Sequence, residues 1–105
     1  SLQVVVCEGA VFDGELRFKG LARVAGQMKG EIKGKGRLII ESTAQVSADI
    51  TTDHLVLLGD FKGKVKAGKT VLMEPPARFS GEVSSPSLTI KEGVFFEGSS
   101  KRVSS

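Results

Sequence analysis

Residues that could do chemistry are few in this chain of 105, which holds one cysteine, Cys7, and one histidine, His54. A lone cysteine forms no internal disulfide. With a single histidine beside it, it also falls short of a four-ligand zinc site, so the composition suits a reducing compartment. His54 stands in Thr52-Asp53-His54, which reads as a solvated turn without a nucleophile beside it. The sharpest motif is Gly63-Lys-Val-Lys-Ala-Gly68-Lys69-Thr70, which satisfies the phosphate-loop spacing G-x4-G-K-[ST]. Such a loop works by leading a strand into a helix whose N-terminal N–H groups face the phosphates. Here the continuation, Thr70-Val-Leu-Met-Glu, is strand-like and runs into Pro75-Pro76, so no helix can start. The expectation is a protein without cofactor, metal or catalytic pair, and not an enzyme. A third signal is a set of lysines, Lys29, Lys33, Lys35, Lys62, Lys64, Lys66 and Lys69, with Arg37 among them. They could attract an acidic partner or lipid headgroups. The net charge is only +3, and no aromatic residues interleave the lysines, so a nucleic-acid surface is not expected.

The elements that carry these residues follow from an internal repeat. The pattern apolar-x-small-x-apolar recurs as Phe12-Asp-Gly14-Glu-Leu16, Met28-Lys-Gly30-Glu-Ile32 and Val46-Ser-Ala48-Asp-Ile50. It continues as Phe61-Lys-Gly63-Lys-Val65 and Phe79-Ser-Gly81-Glu-Val83, and ends imperfectly as Phe96-Glu-Gly98-Ser-Ser100. Successive starts lie 16, 18, 15, 18 and 17 residues apart. Apolar doublets keep step with it: Val4/Val6, Leu38/Ile40, Leu55/Leu57, Val71/Met73 and Leu88/Ile90, with Leu21 assigned to the second copy. Small or apolar residues, Ala10, Ala44, Ala77 and Val94, fall between doublet and next pattern. Throughout, the period is two residues, that of strands and not of helices.

A unit of this length is one coil with three short strand sides, stacked in parallel at about 4.8 Å. The reading is all-β: a single-domain β-helix, or β-solenoid, of about six three-sided coils over residues 1–100, followed by a short basic tail at 101–105. An antiparallel sandwich would not require a constant period. The recurrent glycine, which accounts for five of the 13 in the chain, is assigned to an inward or corner slot too narrow for a side chain. On that basis Gly63→Val is expected to destabilise by overpacking, by about 1–3 kcal/mol. Cys7 shares its repeat position with Glu41, Leu58, Glu74 and Lys91, which places it outward or at a corner. Two charge stripes are also expected: Glu15, Glu31, Asp49, Lys64 and Glu82 beside Arg17, Lys33, Thr51, Lys66 and Ser84. Solenoid acyltransferases use a histidine base, but they need a stricter six-residue repeat and an acyl-donor site, and neither is present in the sequence.

The units Phe12–Leu16, Val46–Ile50 and Phe79–Val83, each followed by its doublet, together with Leu88-Thr-Ile-Lys-Glu-Gly-Val-Phe-Phe-Glu-Gly98, resemble the bactofilins over residues 4 to 100. The resemblance implies a right-handed parallel β-helix with a triangular core that polymerises end to end without nucleotide in the bacterial cytoplasm. It also implies that contact with the inner face of the cytoplasmic membrane would come through tails beyond the segments quoted. Within the family an aromatic residue at the C-terminal end is critical for the polymer, and Phe95 and Phe96 are the matching positions.

Geometry leads to the same expectation. A solenoid has two open ends, and monomeric solenoids cover theirs with polar caps. Here the first coil offers Leu2, Val4 and Val6, and the last offers Leu88, Ile90, Val94, Phe95 and Phe96, with no charge cluster in either set. These are the candidate polymer-interface residues. The function expected is a cytoskeletal scaffold that self-assembles into filaments and localises other proteins, such as those of the cell wall, the membrane or chromosome segregation. The alternative is a solenoid that does not polymerise and docks an acidic partner through its lysine-rich face.

Overall fold

The computed structural model describes residues 3–6 and 8–102, and the side chains of residue 6 and of 8–101. It contains eight strands and, among the described residues, no helix: β1 (Gln3–Val6), β2 (Val11–Val24), β3 (Gln27–Ile40), β4 (Gln45–Leu57), β5 (Asp60–Met73), β6 (Arg78–Ser85), β7 (Ser87–Ile90) and β8 (Phe95–Arg102). All pairings are parallel, in the order β1-β2-β3-β4-β5-β6-β8, with β7 on β5. Parallel pairing of consecutive strands, each a full repeat long, is possible only if the chain winds once per repeat. The fold is therefore a β-solenoid of about five turns. Six pattern copies yield five complete turns because the sixth, β8, pairs along only the first two sides, while β1 contributes only a third side.

The register reproduces the repeat. Phe12, Met28, Val46, Phe61, Phe79 and Phe96 lie in one column, and Leu16, Ile32, Ile50, Val65, Val83 and Ser100 in another. Most of these residues are fully buried and join the doublets in one continuous apolar core. One assignment shifts: the doublet of the second coil is Ala22/Val24, since Ala22 pairs with Val4 and Leu38, whereas Leu21 pairs with Arg37 on the outside. Large and small residues interlock between coils. The ring of Phe18 occupies the space into which a side chain on Gly34 would project.

Each coil turns three times. The first corner is the glycine slot, the second follows the second side, as at Gly20 and Gly36, and the third lies between the doublet and the next coil. At the third corner Ala44 N–H donates to Glu41 O at 2.9 Å and Ala77 N–H to Glu74 O at 2.9 Å. Coils are tied there by Gln45 N–H to Gly26 O at 3.0 Å and by Arg78 N–H to Gly59 O at 3.0 Å. Two of these corners, 25–26 and 58–59, are shortened to a pair ending in glycine. At Gly59 a Cβ would fall 2.8 Å from Ala44 O, so the short corner needs glycine.

Gly63, Gly81 and their equivalents are corner residues, with φ of 137° at both. What stands against a Cβ there is not the core but the coil beneath. On Gly81 it would collide with the carbonyl oxygen of Gly63 and come within 2.9 Å of its carbonyl carbon. The overpacking expected from the sequence is thus replaced by a backbone collision combined with a left-handed φ. Ala48 fills the same slot with its methyl buried and without a positive φ.

Two further assignments change. His54 is in β4 and not in a turn, with its Nδ1 2.7 Å from Thr70 Oγ1. Lys101 and Arg102, read above as tail, extend β8 opposite Ser84 and Ser85.

Candidate assembly surfaces at the ends of the solenoid

The C-terminal end is built by β7 and β8, each paired on one side only among the described strands. Their free edges carry backbone N–H and C=O groups in the arrangement that binds another strand. Alternation sends Phe96 inward and Phe95 outward. The Phe96 ring stacks on Phe79 at 5.1 Å between centroids and 10° between planes, and Phe79 stacks on Phe61 at 5.3 Å and 9°. The aromatic column therefore ends on a half-buried Phe96 with one face uncovered by the described residues. Leu88 and Val94 are also half-buried, and Ile90 is 40% exposed. Phe95, 52% exposed, lies on the rim with the Arg78 guanidinium 5.8 Å from its ring centroid. On the second side the end face turns polar, because Ser100 takes the place above Val83. The fold thus brings Leu88, Ile90, Val94 and Phe96 onto one apolar end face and sets Phe95 at its edge.

The N-terminal end includes residues beyond the expected set. Leu2 lies outside the described residues, and only the backbone of Val4 is described. Val6 is buried against its own core. Because β1 covers only the third side, the other two sides at this end belong to the first ten residues of β2. Phe12, half-buried, and Val11, 70% exposed, stand there. The sequence held the signal: Val4/Val6 is a doublet, so it fills the third side and leaves the first to Phe12.

The phosphate-loop spacing Gly63–Thr70 is laid along β5, with Val65 and Ala67 buried. No group of His, Cys, Asp and Glu among the described residues could hold a metal ion. The lysines divide between two sides. Lys29 and Lys62 share a first-side column with Ser47 between them, whereas Lys33 and Lys66 flank Thr51 on the second. Lys64 pairs with Asp49 and Glu82 in register, and Lys35 lies beside Lys19. Lys69 lies in β5 just before Thr70. The charge stripes form as the register requires: Lys33 Nζ is 3.4 Å from Glu31 and 3.8 Å from Glu15, and Arg17 Nε is 3.3 Å from Glu15. These pairs are solvent-exposed and contribute little to stability.

A stack of like coils whose terminal strands are each paired on one side only among the described strands defines a class, the β-solenoid repeat protein. The family model for bactofilin, described as polymer-forming cytoskeletal, matches residues 4–101, and the chain belongs to the bactofilin family. Among solved structures it is similar to the cryo-EM reconstruction of Thermus thermophilus bactofilin double helical filaments. The two are 25% identical with a TM-score of 0.89, over 95% of this chain and 99% of that one. No match is found among curated proteins. No helix among the described residues is long and apolar enough to cross a membrane.

Proposed function

We propose that this polymer-forming cytoskeletal protein assembles end to end through its two solenoid ends, without nucleotide, into filaments that pair and act as a scaffold for other proteins in the bacterial cytoplasm. The observation that carries the reading is the Phe61–Phe79–Phe96 stack, which among the described residues ends on an uncovered ring beside the free edge of β8. A second molecule placed on that edge continues the backbone ladder and covers Phe96, Leu88 and Ile90 in one step. Burial of apolar area drives such a junction at about 25 cal/mol per Å2, and no bond to a cofactor enters it. The likeness to a bactofilin solved as double helical filaments supports both the polymer and its pairing. Recruitment of cell-wall, membrane or chromosome-segregation proteins belongs to the same reading. The lysines Lys62, Lys66 and Lys69 have no ion pair among the described contacts and offer an acidic partner a docking place along the filament.

The test is sedimentation of the purified protein with and without ATP. Equal pelleting in both is expected. Pelleting only with ATP would overturn the nucleotide-independent reading.

A further inference from the structure

The three outer faces of the coil are not alike. On the first two sides the outward columns are polar or charged apart from the end rungs Val11 and Phe95. On the third side, Ile39, Val56 and Leu72 are consecutive partners in one outward column, each half-buried. Leu58, also half-buried, follows at the adjoining corner. Strand spacing makes this a stripe about 10 Å long. Polar residues close it at both ends, Arg23 before Ile39 and Thr89 after Leu72.

We propose that this third face is the surface through which two filaments of the same chain lie side by side. The inference rests on the filament reading above and deepens it. Outward aliphatic side chains in an aligned, contiguous row make a candidate interaction surface. Two of the cations bordering the stripe are neutralised within the chain, whereas exposed Arg37 has no ion pair among the described contacts: Arg23 Nη2 donates to Glu41 Oε1 at 2.7 Å, and Lys91 Nζ lies 3.2 Å from Glu74 Oε1. Arg37 and His54, in the neighbouring column, stand at the rim. A face with an apolar centre and largely self-paired borders suits a second apolar face of the same kind. An anionic membrane would call for a cluster of unpaired cations around the stripe, and Lys29, Lys62 and Lys66 lie instead on the other two sides, leaving Arg37 at the rim. A single stripe is small against the roughly 1,000 Å2 of a stable complex. Polymerisation repeats it in every subunit, so pairing arises through multivalency and only once filaments exist.

Negative-stain microscopy of filaments of Val56→Lys, with Val56→Thr as a shape-conserving second variant, tests the assignment. Both variants are expected to pellet like wild type and to melt within a few degrees of it, because residue 56 points outward. Paired segments should fall about tenfold or more in Val56→Lys and less in Val56→Thr. Wild-type filaments that are single throughout would overturn the lateral face while leaving end-to-end assembly standing. Unchanged pairing in both variants would overturn it as well. Flotation of wild type with phosphatidylglycerol vesicles, lost in Val56→Lys, would assign the stripe to a membrane instead. Absence of any wild-type filament would remove the polymer reading itself.

Discussion

At Gly81 a side chain would have to occupy the space held by the Gly63 carbonyl, and the left-handed φ would strain it further. Both costs exist already for alanine. Gly81→Ala is therefore expected to lower stability by about 1–3 kcal/mol, a fall in Tm on the order of 10 °C for a domain of this length. Ala48→Gly, in the equivalent slot, should cost only about 0.5–1 kcal/mol, the entropy of an added glycine. Thermal melts of the two variants check this, and an unshifted Tm for Gly81→Ala would contradict the backbone-collision account. At this scale the sequence showed that the slot must be small, through five glycines and one alanine in register. It could not show why, because the obstructing atom belongs to a residue one coil earlier and to the backbone, which no side-chain pattern records.

The terminal strands are where element and function meet. β8 alternates like every other first side, so Phe96 continues the core column and Phe95 leaves it. Phe96→Arg puts a charge onto the apolar end face and should abolish pelleting, a loss of about 2 kcal/mol or more per junction. Phe95→Arg, at the rim, should leave most of it. Sedimentation of both variants beside wild type measures the difference, and equal behaviour of the two would contradict the inward–outward assignment. The period of two made each strand legible, and the constant spacing made the coil legible. Ends were harder to read. The Val4/Val6 doublet lies on β1, which forms only the third side of the N-terminal end, and the first side there belongs to Val11 and Phe12. Leu21 stands one residue from the doublet Ala22/Val24, and in a strand one residue turns a side chain to the opposite face.

For the whole molecule, the three faces and two ends differ in chemistry. The ends are apolar, the first two faces are charged, and the third holds the stripe Ile39, Val56 and Leu72. That stripe is visible in the sequence as the middle residue of three successive apolar triplets, Leu38-Ile-Ile40, Leu55-Val-Leu57 and Val71-Leu-Met73. Only the closed coil shows that the middle residue faces out. Apolar junctions are little screened by salt, whereas docking through lysines is strongly screened beyond a Debye length of about 3 Å at 1 M. Filaments should accordingly pellet undiminished in about 1 M NaCl, and their dissolution there would favour assembly through charge. The most direct measurement is negative-stain electron microscopy of the purified, nucleotide-free protein, with Phe96→Arg prepared alongside. Long filaments from wild type and none from the variant are expected. Monodisperse particles from wild type at high concentration would contradict the account.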